Sequence, residues 1–170
     1  MELVELDELA EEDWSALIAG EKEPWGAEGA GLQWREKERF VALREDEGRI
    51  VAVAGAVLAE VSIAEEAAFQ LVGLGGLIVT YAMRGRGLMA QLVDPLLALA
   101  GRMGPERAMI FCRPELVRLY ERLGFLEILS PVWAEQPGGR VEMRLSAMWR
   151  PLHGAPGWPR GRVEVSGLPF

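Results

Sequence analysis

Two hydrophobic periods, one of strands and one of helices, place most of the elements along this chain. "MELVELDELAEEDWSALIAG" opens as a short strand and passes into a helix, with Leu9, Trp14, Leu17 and Ile18 at near-helical spacing and Asp7 available as a cap. "EKEPWGAEGAGLQW" then breaks into Pro, Gly and Trp, a long loop or broken helix of the kind that often carries function. "RFVALREDEGRIVAVAGAVLAEVSI" reads as a hairpin turning at "EDEG", and "AFQLVGLGGLIV" as a further strand. Gly73, Gly75 and Gly76 weaken that strand, so a bulge or a close approach by ligand or backbone is expected there.

Helical spacing returns at Leu88, Met89, Leu92, Val93, Leu96 and Leu97, which form one apolar face. Pro95 inside that run predicts a kink or an early end. A short strand "RAMIFC", a helix "PELVRLYERL" stopped by Gly124, a strand "FLEILSPVW", a turn "QPGG" and a strand "RVEMRLSAMW" follow. The order is strand, helix, three strands, helix, strand, helix, two strands. It mixes antiparallel hairpins with a β-α-β crossover and predicts a layered α/β (α+β) fold. Residues 1–150 read as one domain and 151–170 as a Pro/Gly-rich tail packing on it. That tail keeps Trp158, Val163, Val165, Leu168 and Phe170, apolar residues that a disordered segment would not need. It is expected to fold back on a sheet edge or on a ligand cleft.

Composition narrows the function. A formal net charge of −8 argues against nucleic acid as the main partner and suits a cationic ligand or a solubilising surface. The single Cys112 excludes an internal disulfide, and the apolar stretches are too broken to span a bilayer, so a soluble cytoplasmic protein without a membrane partner is expected. No His/Cys/Asp cluster has metal spacing, and no metal is expected. Cys112 reads as a small buried apolar residue, and His153 as a solvated loop residue.

The chemistry concentrates in "LIVTYAMRGRGLMAQLV", where a buried strand passes through a loop into the apolar helix. Two arginines and two glycines at a helix start suit a bound anion, because unpaired N–H groups and the positive end of the helix dipole converge there. Neither the Walker spacing nor the G-x-G-x-x-G order is present. Arg84, Gly87 and the helix, preceded by "LIV" and followed by "LYERLGF", resemble the GCN5-related N-acetyltransferase (GNAT) superfamily.

The resemblance implies a mixed, mostly antiparallel sheet with helices on both faces and a splayed strand pair at an acyl-CoA site. It implies that the backbone of Arg84, Gly85, Arg86, Gly87, Leu88, Met89 and Ala90 binds the acetyl-CoA pyrophosphate, while the pantetheine pairs with Leu77, Ile78 and Val79. Met89 stands where the family has Gly or Ala, and fits if its side chain turns to the core. The activity implied is acetyl transfer to a primary amine of a small cationic acceptor, by direct attack in a ternary complex; a homodimer is compatible with it. "RGLMAQLVD", "RLYERLGFL" and "GWPRGRVEV" are also similar to the aminoglycoside 2′-N-acetyltransferase branch.

Tyr120 is the candidate acid, its hydroxyl expected near the sulfur as a donor to the developing thiolate. A backbone N–H near Ile78 or Val79 would polarise the carbonyl. The family often takes a carboxylate on the strand before the loop as base, and "VGLGGLIV" offers none. Glu60, Glu142, Glu164 or the Phe170 carboxylate are substitutes, and an amine of low pKa needs none. Trp25, Trp34 and Trp158 are candidates for an aromatic wall around a cationic amine. The other class open to this sequence is a catalytically silent acyl-CoA-binding or interaction module on the same fold.

Overall fold

The computed structural model describes residues 1–21, 26–64, 68–154 and 157–170. Trp25, one of the three candidate wall residues, lies outside them. Strand β1 (Glu2–Leu6) leads to helix α1 (Glu11–Ile18) and a single turn α2 (Gly26–Gly29). The antiparallel strands β2 (Arg39–Arg44), β3 (Ile50–Ile63) and β4 (Phe69–Val79) follow. Helix α3 (Leu88–Arg102) crosses to β5 (Arg107–Cys112), which runs parallel to β4. After α4 (Val117–Arg122) come β6 (Leu126–Ile128), β7 (Val132–Gln136), β8 (Gly139–Glu142), β9 (Ser146–Pro151) and β10 (Val163–Val165).

These strands form one sheet in the order β6-β9-β5-β4-β3-β10-β7-β8, with β2 and β1 extending the other half of β3. Among the described residues, seven strand pairs are antiparallel and two, β4–β5 and β7–β10, are parallel. On one face α3 buries Leu88, Leu92, Leu96 and Leu99 against Val41, Val51, Val72 and Leu74. On the other, Leu17 of α1 packs with Ala42, Ile50, Val53 and Ile78. The layered architecture with helices on both faces is therefore present.

Four local expectations are corrected. "FLEILSPVW" and "RVEMRLSAMW" each divide into two strands: β6 and β9 pair beside β5, while β7 and β8 make a separate hairpin. Pro131, with no N–H to give a ladder, falls at the first of those breaks. Of the kink or early end expected at Pro95, the early end does not occur, since helix α3 runs on to Arg102. An interior proline costs about 3 kcal/mol, and burying Leu92, Leu96 and Leu99 at about 1.5–3 kcal/mol each outweighs it. The carbonyl it orphans belongs to exposed Gln91, where water can reach. Asp7 caps nothing: the α1 N-cap is Ala10, and Asp7 pairs with Arg39 Nε at 2.9 Å.

The tail does more than cover an edge. β10 fills a slot between β3 and β7, antiparallel to Val61–Ile63 and parallel to Val132 and Trp133. Phe170 is 1% exposed and its ring tilts against Phe111 at 5.3 Å between centroids. Among the described residues no helix is long and apolar enough to cross a membrane.

Candidate active site

β4 pairs with β5 only from Val72 to Leu74, although both strands continue. The cause lies on the opposite edge. Against β3, Gly55 faces Gly75 and Val53 faces Ile78, so β4 carries one extra residue across a bulge at Gly76, whose φ of 61° suits glycine. A bulge bends its strand, and β4 turns away from the end of β5 at this point.

The gap between them opens into a cavity of about 590 Å³. Gly75, Gly76 and Leu77 line one side of it, and Ile110, Phe111 and Cys112 the other. Tyr120 of α4 also faces the cavity while being 3% exposed, edge-on to Phe125 at 5.6 Å. Burial, with a smaller contribution from Cys112, pushes the Tyr120 phenol well above its ordinary pKa, so it remains a donor across the neutral range. Cys112 is pushed up to about 12 by burial and by Glu127 and Glu115, which keeps it an inert thiol.

The third wall comes from chain segments far from the first two. Trp14 and Trp34 supply aromatic faces, Arg35, Glu36 and Lys37 supply charge, and Asp7 and Glu8 stand on the β1–α1 connection. The guanidinium of Arg35 is held by the carbonyls of Leu58 (3.1 Å) and Ser166. Lys37 Nζ donates to the Arg35 carbonyl at 2.9 Å. Burial first, then the neighbouring Arg35 charge, lower the Lys37 pKa to about 8.

Beyond Val79, a single 3₁₀ turn (Tyr81–Met83) leads into the loop before α3. Gly85 and Gly87 adopt φ of 76° and 73°, and a β-carbon on either would meet no atom within 4 Å. No side chain caps α3, and its first intrahelical bond is Gln91 N–H to the Gly87 carbonyl at 3.4 Å. The N–H groups of Leu88, Met89 and Ala90 precede that bond and form the open helix end. Arg84 does not point its charge outward: Nε donates to the Val79 carbonyl at 3.2 Å, the guanidinium pairs with Glu21, and it covers the Tyr81 ring at 5.5 Å. Met89 packs against the core under α3, leaving the loop face clear.

A model of the acetyltransferase (GNAT) family matches residues 3–125. The chain belongs to the GNAT family. It is thereby an acyltransferase by family. Among solved structures it is similar to the GNAT N-acetyltransferase YhbS from Escherichia coli in complex with CoA, at 20% identity and a TM-score of 0.61, over 95% of this chain and 88% of that one. It is also similar to the phosphinothricin acetyltransferase Pat from Sinorhizobium meliloti in complex with AcCoA, at 16% identity and TM-score 0.57, over 94% of each chain. Escherichia coli ElaA aligns at 18% identity and TM-score 0.57, over 88% of this chain and 98% of that one. No curated protein matches the sequence. The family match does not resolve a branch, so the aminoglycoside 2′-N-acetyltransferase likeness stays a sequence expectation.

The residues singled out from sequence fall in three places. Leu77 and Tyr120 meet at the cavity; Ile78 is turned to the opposite face with Leu17, and Val79 packs toward α3; Arg84 to Ala90 form the open helix end further along the chain. Three of the candidate bases are misplaced. Glu164 is bridged by Arg140 at 2.5 Å and Arg162 at 2.6 Å, Glu60 accepts from Ser166 Oγ at 3.4 Å on the surface, and Glu142 lies on outer strand β8. None lines the cavity, whereas Phe170 does. Trp34 lines it too, but Trp158 packs on Phe69 and Trp149, 5.8 and 5.5 Å away. His153 is exposed in the tail, as expected of a solvated loop residue, and its ring also reaches the Gly101 carbonyl of α3 at 2.8 Å.

Lys37 was not foreseen, since nothing marks it within "QWREKERF". Its signal is indirect: Gly55 and Gly75, facing each other on adjacent strands, leave a trough. A β-carbon at Gly55 would lie 2.6 Å from Lys37 Cγ, and one at Gly75 would lie 2.9 Å from its Cε. Gly73 makes room in the same way for the Phe170 ring. The expected close approach to this glycine run is thus made by side chains of the chain itself.

Proposed function

We propose that this chain transfers the acetyl group of acetyl-CoA to the primary amine of a small acceptor, by direct attack within a ternary complex. The observation that carries the reading is the parting of β4 from β5 after Leu74, inside a cavity that Tyr120 faces. Backbone groups on the freed edge of β4, other than the Val79 carbonyl that Arg84 Nε holds, are available to the amides of the pantetheine arm. The open end of α3 offers N–H groups and a positive dipole to the pyrophosphate. YhbS and Pat were crystallised with CoA and AcCoA, which fits the same use of the fold.

Tyr120 donates a hydrogen bond to the thiolate as it leaves, and its raised pKa keeps the proton in place for that task. The acceptor enters along the aromatic faces of Trp14 and Trp34, which suit a cation, through a mouth of mixed charge in which Asp7, Glu8 and Glu36 stand with Arg35, Lys37 and Arg113. The cavity volume is that of a small-molecule site. A cytoplasmic setting agrees with a lone buried Cys112.

One observation favours the silent acyl-CoA-binding module instead: β4 presents Gly73, Gly75 and Gly76 where a carboxylate base would stand. Thiol release from acetyl-CoA against a panel of primary amines decides between the two. Amine-dependent release is expected; CoA binding with no release above hydrolysis for any amine would favour the silent module.

A further inference from the structure

We propose that Lys37 is the general base of the acetyl transfer, taking the proton that the acceptor's ammonium group must lose before it attacks. The proposal rests on the acetyltransferase reading above and gives that reading the base it lacks.

Position is the first argument. A β-carbon at Gly75 would lie 3.3 Å from Lys37 Nζ, so the amine occupies the space into which a side chain of β4 would project. This is the end of β4 that has just left β5, next to the bulge at Gly76. The lysine stem lies across Gly55, and one N–H of the amine is held by the Arg35 carbonyl at 2.9 Å. An uncharged amine fixed in that way keeps its lone pair free to face the cavity.

Chemical matching is the second. A carboxylate takes protons with an ordinary pKa near 4, about six units below an alkylammonium of about 10.4, whereas a base near neutral pH makes the transfer far less uphill. Burial and Arg35 bring Lys37 to about 8. Other charged and titratable groups face the same space. Asp7 and Glu8 on the β1–α1 connection, Glu36 and the carboxyl end of Phe170 favour the charged amine, and Arg113 opposes it. Asp7 is partly spent on Arg39. Cys112 and Tyr120, both raised, stay neutral near pH 8.

The proton balance is closed. The acceptor R–NH3⁺ gives one proton to the Lys37 amine, and the freed lone pair forms the C–N bond to the thioester carbon while the carbonyl π pair moves to oxygen. That pair returns, the C–S bond breaks with its electrons on sulfur, and the thiolate takes the second nitrogen proton with the Tyr120 hydroxyl hydrogen-bonded to it. Lys37 then loses its proton to solvent. The net change is ammonium plus thioester to amide plus thiol plus one proton.

The test compares wild type with Lys37→Met and Lys37→Arg, using acetyl-CoA and the best amine of the panel from pH 6 to 10. Wild-type kcat/KM should rise to an inflection near pH 8. Lys37→Met should lose that limb and about a hundredfold or more of the rate, while binding CoA within twofold of wild type and melting cooperatively. Lys37→Arg should be equally slow, because guanidinium does not release its proton. Either variant keeping the wild-type rate and profile overturns the proposal alone. A wild type that binds no CoA overturns the acetyltransferase reading and this one with it.

A second measurement needs neither acceptor nor variant. The pH dependence of Lys37 labelling by acetic anhydride, read by peptide mass spectrometry, should show half-titration near pH 8. Half-titration near pH 10 overturns the proposal. So does stoichiometric acetylation of Lys37 by acetyl-CoA alone, which would make it an acceptor instead of a base.

Discussion

The proposed donor half and the proposed acceptor half of this site are built in opposite ways. The donor half is one continuous stretch, from Gly75 on β4 through the loop to Ala90 on α3, and its geometry follows from local causes: a bulge at Gly76, left-handed glycines at 85 and 87, and an uncapped helix. The acceptor half is gathered from the β1–α1 connection, the segment before β2, the end of β5 and the last residue of β10's tail. Local chemistry writes the first half, and packing writes the second. Substitutions in the donor half should therefore act on CoA, and those in the acceptor half on the amine or on folding itself.

Deleting residues 161–170 should have the largest effect. It removes a strand bonded on both sides and the Phe170 ring over Gly73. Loss of the cooperative thermal transition is expected, whereas a stable protein with only weaker amine binding would mean that the tail is a separable acceptor element. Phe170→Ala is the milder form. Truncating a fully buried Phe costs about 3–5 kcal/mol, to be read from urea midpoints, and CoA affinity should hold if the two halves are independent.

Much of the donor half was legible because its residues are neighbours in sequence. Glycines at 75 and 76 announced the bulge and the Arg-Gly-Arg-Gly run announced the helix end, while Tyr120, outside this stretch, was picked out only by its helix "PELVRLYERL" together with the family resemblance of the loop upstream. Met89 turns to the core as its apolar face requires. Of the four substitutes named for the base, only Phe170 reaches the cavity. Glu60, Glu142 and Glu164 were chosen for their charge, but where they stand depends on strand order, and the sheet carries all three away from the cavity. Lys37 escaped because its partners, Gly55 and Gly75, belong to two other strands. Trp158 likewise went to the core because Phe69 and Trp149 meet it across the sheet.

Tyr120→Phe should come next in size. Turnover should fall about a hundredfold with CoA affinity unchanged in calorimetry, since only a hydroxyl is lost; an equal rate would return Tyr120 to simple packing against Phe125. Gly87→Val should do the reverse. A φ of 73° strains a β-branched residue by about 1–3 kcal/mol, and its side chain would stand over the helix end, so CoA affinity should fall at least tenfold.

A further effect concerns pH. In the unfolded chain Lys37 keeps its proton up to about 10.5, while in the folded protein it releases it from about 8. Between those values the unfolded state binds more protons, so stability should rise with pH through this window. The gain is lost as pH falls to 8 and below. The difference in urea midpoint between wild type and Lys37→Met, measured at pH 7.5 and pH 10, should shift in favour of wild type at the higher pH.

The central claim is that the parting of β4 from β5 holds the thioester while the start of α3 holds the phosphates. A crystal structure of the protein with CoA tests it most directly. The account predicts the pantetheine along the freed edge of β4 at residues 77–79, the pyrophosphate over residues 84–90, and the sulfur within reach of the Tyr120 hydroxyl. CoA bound with its sulfur outside this cavity, or its phosphates away from the α3 N-terminus, would contradict it.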